Sequence, residues 1–220
     1  MQPVGRKKPD WQHFRIIHSK YPPVNIYQDN DEENFLLGEL ESQTSGRVIN
    51  WEPFIDEEDM RTGYGWGAVI ASFCYTNYGR FSTPELGCYY CASCPKTAIK
   101  EWSHHTAKTW RDDFGFTDDA SAVVRCYVGE FTEELIDVRE DDTLHDPADY
   151  SKTQSYAIQL RKENEYGILY KSVRNPGKEC AALLRPVATT QVTQSTHYVL
   201  KFDGTEFINF ASVSEFESLN

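Results

Sequence analysis

The stretch GRFSTPELGCYYCASCPKTAIKE, residues 79–101, decides how the surrounding chain folds. Its middle part, residues 87–92, is a short apolar run that predicts a buried strand. Pro95 suits the first turn of a helix, and Ser93 before it is a suitable N-cap. Residues 98, 99, 102, 106 and 110, apolar except for Thr106, then recur at the spacing of one helix face. The stretch therefore predicts a strand that passes directly into a helix.

Two polar residues of this predicted helix are four positions apart. Glu101 and His105 lie on one face of a helix at this spacing. A carboxylate and an imidazole on the same face are able to act on one ligand, and we regard both as candidate site residues.

Three cysteines, Cys88, Cys91 and Cys94, lie within the same stretch at two-residue spacings. The spacing resembles the opening of an iron–sulfur loop, but the fourth cysteine of that pattern is missing. On a strand, Cys88 and Cys91 point to opposite faces and cannot grip one ion. We therefore predict that no metal is bound and that all six cysteines are reduced thiols.

Composition indicates one acidic domain. The chain has 220 residues, 40% of them hydrophobic, and a formal net charge of −12. That charge repels phosphate backbones and argues against nucleic-acid binding, so an anionic ligand needs a few well-placed arginines. No apolar run is long enough for a membrane helix, and no signal peptide is evident, which predicts a cytoplasmic protein. We expect a polar arm over residues 1–10 and a single domain over residues 11–220.

The order of predicted elements indicates an α+β fold. Strands are predicted at 121–131, 134–138, 166–173, 179–188, 196–204 and 205–210, and a second helix from Asp146 to about Lys162. Strands outnumber helices and do not alternate with them, unlike the pattern of a doubly wound sheet. The glycine-containing segment 54–67 does not match a dinucleotide fingerprint, and we predict a flexible loop there.

Several motifs in order resemble the RES domain family. Residues 79–101 supply its arginine after glycine, its tyrosine and its helical glutamate, as Arg80, Tyr90 and Glu101. GILYKSVR supplies its serine as Ser172. The resemblance extends to FRIIHSKYPPVNIYQD, LHDPADYSKTQ, NPGKECAALLRP and KFDGTEF, and so covers nearly the whole chain from about residue 11. The chain departs from the family at Phe73–Cys74–Tyr75, where a histidine often precedes the arginine, and at Lys171 and Lys178.

The resemblance implies an ADP-ribosyltransferase-like fold, with antiparallel and mixed sheets around a cleft and flanking helices. It also implies an NAD+-consuming toxin, acting as a phosphorylase or a glycohydrolase, whose partner is an Xre-like helix-turn-helix antitoxin. NAD+ is then the substrate, and inorganic phosphate is a possible second one. An ADP-ribosyltransferase that modifies a protein, as a toxin or a secreted effector, is the alternative. A non-enzymatic binding module and a metal-binding protein are further alternatives.

Four residues carry the chemistry that the resemblance implies. Glu101 stabilises the positive charge that develops on the ribose when nicotinamide leaves. Arg80 clamps the pyrophosphate with its planar fork, Tyr90 stacks on the nicotinamide ring, and Ser172 hydrogen-bonds the amide or a phosphate. Taken alone, each is also ordinary: an exposed helix glutamate, an ion-paired arginine, a core aromatic and a strand serine.

Arg15 and His105 are second-tier candidates for the binding site. Arg15 suits a phosphate or an inorganic co-substrate, and His105 suits the orientation of Glu101 or the ribose. For both residues, a purely structural role is an equal alternative.

Overall fold

A computed structural model describes residues 5–19 and 51–213. This part of the chain contains nine strands and three α-helices, joined by short 3-10 and π turns. The strands β1 to β9 are Arg6–Lys7, His13–His18, Tyr89–Ala92, Asp119–Gly129, Leu135–Asp137, Gly167–Lys171, Glu179–Leu183, Thr193–Asp203 and Phe207–Val213. The helices are α1 (Trp66–Cys74), α2 (Pro95–Lys108) and α3 (Ser151–Lys162).

The strands form one mixed sheet in the order β1-β5-β6-β7-β3-β2-β4-β8-β9. Every neighbouring pair is antiparallel except β5 and β6, which run parallel. This arrangement confirms the α+β class predicted from the order of the elements.

Helices cover both faces of the sheet. Helix α1 contributes Val69, Ile70 and Phe73 to one apolar cluster, which we call the rear cluster. Helices α2 and α3 contribute residues such as Ile99 and Leu160 to the opposite cluster, the front cluster. The sheet therefore separates two cores, and the front cluster lies beneath the predicted catalytic helix α2.

The strand-to-helix junction forms as the sequence predicts, one residue later than expected. Pro95 occupies the first turn of α2, but the N-cap is Cys94, whose backbone is extended (φ −158°, ψ 158°). Ser93 is not the cap, because its hydroxyl accepts a hydrogen bond from the Glu179 backbone N–H instead (3.3 Å). Cys88 belongs to the front cluster and Cys91 to the rear cluster, which confirms that they lie on opposite faces.

Two segments are more ordered than their composition indicates. Part of the predicted polar arm, Arg6–Lys7, pairs with β5 and forms an edge strand of the sheet. The predicted flexible loop 54–67 is anchored, since Ile55 is buried and the Asp59 carboxylate accepts from the Arg185 guanidinium at 2.6 Å. Residues far away in the sequence hold both segments in place, and the local composition of a segment carries no information about such partners.

Two element boundaries also differ from the sequence pattern. Helix α3 begins at Ser151, because the Asp146 carboxylate accepts from the backbone N–H groups of Ala148 and Asp149 and holds a turn before it. The strands predicted at 196–204 and 205–210 pair as a hairpin, with Gly204 at φ +88° in its turn, and strand β9 starts only at Phe207.

Within residues 5–19 and 51–213, the helices are too short or too polar to cross a membrane.

Candidate active site

The Glu101 carboxylate lies against the Ser172 hydroxyl. Helix α2 packs on the front cluster through Ala98 and Ile99, and this holds Glu101 half-buried. Ser172 follows β6 directly and is 3% exposed. Its Oγ donates to Glu101 Oε1 at 2.5 Å and accepts from the Asn175 backbone N–H at 2.9 Å. The donor from Asn175 fixes the direction of the hydroxyl, so its proton points to the carboxylate.

A buried thiol contacts the same oxygen. Cys180 Sγ is 3.9 Å from Glu101 Oε1, and the pKa of this thiol is raised, first by burial and then by the Glu101 charge. Both contacts engage Oε1, and Oε2 takes part in neither. The carboxylate is therefore held through Oε1, and its other oxygen, Oε2, is suited to accept a hydrogen bond from a ligand hydroxyl.

Arg80 is buried without a carboxylate partner. Its Nη1 donates to the carbonyl oxygens of Leu144 (3.3 Å) and Asp146 (2.8 Å), and its guanidinium lies 4.8 Å from the centre of the Tyr150 ring. Within the described part of the chain, it forms no ion pair within 4.0 Å. Neutral carbonyls orient the guanidinium and no carboxylate in this part of the chain contacts it directly, which favours an anionic ligand.

The Tyr90 hydroxyl holds the loop that carries Arg80. It accepts from the Phe81 backbone N–H (2.8 Å) and donates to Ser82 Oγ (3.1 Å). A Cβ at Gly79 would lie 3.0 Å from this hydroxyl and 2.6 Å from Ser82 Oγ, so the loop passes too close for a larger residue. Burial raises the pKa of Tyr90, which keeps the phenol protonated. Stacking of its half-buried ring on nicotinamide stays a prediction.

Buried Tyr170 marks where the segments meet. Burial raises its pKa, the nearby Cys180, Glu101 and Tyr90 raise it further, and Arg80 lowers it. The electrostatic influence of three predicted residues therefore converges on one phenol, two positions before Ser172. Residues 79–101 supply Arg80, Tyr90 and Glu101, and a separate part of the sequence supplies Ser172. The structure brings these four residues together around Tyr170.

His105 lies at the outer edge of this group. The centre of its ring is 6.4 Å from that of the Tyr150 ring, which itself packs on Arg80. The pKa of His105 lies below its usual value, because it has lost hydration and because His104, Arg174 and other positive groups surround it. A neutral imidazole here is able to donate to, or accept from, a ligand hydroxyl.

Arg15 is not brought to this group. Its guanidinium lies 4.7 Å from the centre of the Tyr89 ring and donates to the Tyr90 carbonyl at 2.9 Å. Tyr89 belongs to the rear cluster, whereas the Tyr90 side chain packs on the front cluster. Because side chains alternate along β3, Arg15 lies on the other face of this strand from Tyr90. Its expected place beside the other candidates therefore needs correction.

Sequence reasoning missed three residues that support the site. Asn175 donates to Ser172 and, through Nδ2, to Thr97 Oγ1 (2.7 Å), and it begins an Asn-Pro-Gly turn that signals a fixed bend after the serine. Tyr150 packs on Arg80, and the Thr153 hydroxyl donates to the Arg80 carbonyl. No local signal singles out the last two, because their partner is about 70 residues away.

Metal ligands do not gather in the described part of the chain. No group of three or more histidine, cysteine, aspartate or glutamate side chains there is arranged to hold an ion. The six cysteines are all free thiols.

The fold and the site define a single-domain α+β protein. On one face of its sheet, Ser172 holds a carboxylate, and a buried arginine has no carboxylate in direct contact among the described residues. The RES domain family model matches residues 57–203, which is more than half of the chain. The chain therefore belongs to the RES domain family.

Other comparisons add little. No curated protein matches the chain. Among solved structures, the chain is similar to one described as the crystal structure of the M. tuberculosis MbcT–MbcA toxin–antitoxin complex, with 10% identity and a TM-score of 0.43. That likeness covers 88% of this chain and 85% of the other. A likeness this distant carries no argument about the activity of this chain.

Proposed function

We propose that this protein is a toxin that cleaves the bond between nicotinamide and ribose in NAD+. The observation that carries the proposal is the Glu101 carboxylate, held by Ser172 at 2.5 Å in the same site as Arg80, which has no carboxylate partner among the described residues. Membership of the RES domain family supports the choice of substrate.

The roles of the residues follow from their surroundings. The bond between ribose and nicotinamide breaks with its electron pair going to the nicotinamide nitrogen, which leaves positive charge on the ribose. The fixed negative charge of Glu101 stabilises that cation where it forms, and Oε2 accepts from a ribose hydroxyl. Arg80 binds the pyrophosphate, which an acidic protein otherwise repels.

The attacking group decides the product. Water gives ADP-ribose, nicotinamide and a proton, and inorganic phosphate gives ADP-ribose phosphorylated on the same ribose carbon. Attack by a protein side chain gives ADP-ribosylated protein, the alternative activity. All three require the same cleavage site.

The test is incubation of the purified protein with NAD+, with and without inorganic phosphate, followed by mass spectrometry of the small molecules and of added bacterial lysate protein. We expect free nicotinamide in both reactions if the protein is a glycohydrolase. If it is a phosphorylase, we expect nicotinamide and the phosphorylated product together, and only in the reaction with phosphate. Undiminished NAD+ in the presence of folded protein contradicts the proposal. Mass added to lysate protein supports the alternative transferase.

An antitoxin partner belongs to the same proposal. A protein that consumes the NAD+ of its own cytoplasm must be neutralised there, and we expect an Xre-like helix-turn-helix protein to do so. Co-expression of the protein with the product of an adjacent gene of that type should restore growth and NAD+ levels. Growth arrest without NAD+ loss contradicts this mechanism.

A further inference from the structure

One short segment supplies the carbonyl groups that hold the arginines of the site. The carbonyl oxygens of Leu144 and Asp146 accept from Arg80, and that of Pro147 accepts from Arg174 at 2.6 Å. The segment begins with the last residue of the 3-10 turn Asp142–Leu144. Because its carbonyl oxygens hold Arg80, the position of this segment relative to the sheet fixes where the Arg80 guanidinium lies.

The His145 side chain ties this segment to strand β6. Its Nε2 is 3.0 Å from the Lys171 backbone nitrogen, and its Nδ1 is 2.8 Å from the Asp141 carbonyl oxygen. A backbone N–H only donates and a carbonyl only accepts. The two partners therefore require the neutral imidazole with its proton on Nδ1.

The sheet explains why an imidazole is needed here. Strand β5 runs parallel to β6 and leaves it at Val138, whose N–H donates to the Leu169 carbonyl at 2.9 Å. The Lys171 N–H lies two residues further along β6, where β5 no longer offers a carbonyl. His145 Nε2 accepts this hydrogen bond in place of a strand residue, and so ties the end of β6 to the segment that holds Arg80.

The strand end that His145 holds is the one that presents the serine. Lys171 is followed directly by Ser172, whose hydroxyl donates to Glu101. The same imidazole thus connects the carbonyls that orient Arg80 with the backbone that orients Ser172. A second connection between these segments, the Lys171–Glu140 ion pair at 3.1 Å, is exposed and contributes little.

We propose that His145 is a positioning residue for NAD+ cleavage, which sets the Arg80 guanidinium in register with the Ser172–Glu101 pair. This inference rests on the proposed function. His145 acts through Arg80 and Ser172, and it does so as a hydrogen-bond acceptor on Nε2.

Substitution tests the role through rescue by a conservative side chain. His145→Ala removes the acceptor and should lower kcat/KM for NAD+ about 10- to 100-fold, because small misplacements of reacting groups have effects of this size. His145→Gln places an amide oxygen near the position of Nε2 and should stay within about threefold of the wild type. Glu140→Gln removes only the parallel ion pair and serves as the matched control, with activity near that of the wild type.

The split between constants separates positioning from folding. Measured well below the unfolding temperature, His145→Ala should lower kcat as well as raise KM, whereas partial unfolding lowers the apparent kcat and leaves KM unchanged. Equal losses in the Ala and Gln variants, or full activity of His145→Ala, would overturn the inference.

A second measurement does not depend on NAD+. Nitrogen-15 NMR of the imidazole groups at neutral pH should show His145 with a protonated Nδ1 and an unprotonated Nε2. The opposite tautomer overturns the inference even if the protein cleaves NAD+. If the wild type does not cleave NAD+ but shows the expected tautomer, the proposed function fails and the connection through His145 stands.

Discussion

The negative charge of Glu101 is the residue-scale feature on which the proposed chemistry depends. A glutamine at this position has the same shape and would accept the same hydrogen bond from Ser172 through its amide oxygen. The two side chains differ in charge, so their comparison isolates the electrostatic contribution to cleavage.

Glu101→Gln should fold normally and lose NAD+ cleavage by about 10²–10³-fold, the effect of removing one preorganised electrostatic contact from a transition state. NAD+ binding should change much less, because the ground-state ribose lacks the charge that builds up during cleavage. Initial rates and calorimetric binding measure the two quantities. Glu85→Gln, at an exposed loop position, is the control. Near-normal turnover of Glu101→Gln would show that the carboxylate charge is not used.

Arg80→Ala should behave differently from Glu101→Gln. It removes a contact to the pyrophosphate that is present in both the ground state and the transition state, so KM should rise about 10-fold or more, at least as much as kcat falls. Arg80→Lys keeps the charge and loses the planar fork, and its KM should lie between those of the wild type and Arg80→Ala. Arg161→Ala, which breaks the ion pair with Asp56 away from the site, is the control. An unchanged KM in Arg80→Ala would argue against the clamp.

At the scale of elements, helix α2 carries Glu101 although its first turn is weakly capped. Its N-cap is Cys94, whose side chain makes no hydrogen bond to a backbone N–H of the helix. The thiol instead contacts Thr97 Oγ1 at 3.1 Å. Packing on both faces of β3 and Pro95 stabilise the junction. A residue at position 94 that caps the helix N–H groups should stabilise it further.

Cys94→Ser should therefore stabilise the protein by about 0.5–1 kcal/mol, because a serine hydroxyl accepts from the helix N–H groups better than a thiol does. Cys94→Ala, the matched control, should be no more stable than the wild type. Denaturant unfolding of the three proteins measures the difference. If Cys94→Ser were no more stable than Cys94→Ala, the hydroxyl would not cap the helix and the prediction would be wrong.

At the scale of the whole molecule, the rear cluster packs against a histidine that is buried without charge. His13 is fully buried among Tyr89 and Phe131, and its Nε2 is 2.7 Å from Thr189 Oγ1. The threonine hydroxyl donates to the Thr190 carbonyl at 3.0 Å, so it accepts from Nε2–H. Burial, followed by the charge of Arg15, lowers the pKa of His13 to about 3.

This shift predicts acid destabilisation of the whole fold. The pKa of His13 is lower in the folded state (about 3) than in the unfolded chain (about 6.5), so its contribution is complete above pH 6.5 and is lost as the pH falls towards 3. Below pH 6.5 the free energy of unfolding should fall by up to about 1.4 kcal/mol per pH unit from this group. His13→Gln, which does not titrate, should lose about 2 kcal/mol less than the wild type between pH 7.5 and pH 5. Urea unfolding at both pH values measures this, and parallel losses in the two proteins would contradict it.

Features that depend on neighbouring residues could be predicted from the sequence. The α+β class, the strand-to-helix junction at Pro95 and the alternate faces of Cys88 and Cys91 follow from spacings of two to four residues, and the structure confirms them. The motif match named Arg80, Tyr90, Glu101 and Ser172, but it did not say how they are held.

Contacts between distant parts of the chain could not be predicted from the sequence and are seen in the folded structure. Ser172 donates to a glutamate 71 positions earlier, and the carbonyls that orient Arg80 lie more than 60 positions after it. In the folded structure, Arg15 lies against Tyr89 and not beside the other candidate site residues. The contact of His145 with the end of β6 is likewise seen only there. Local sequence patterns indicate which secondary structure a segment favours and which side of that element is buried. Which residues meet across the molecule depends on strand order and register, which the packing of all elements fixes together.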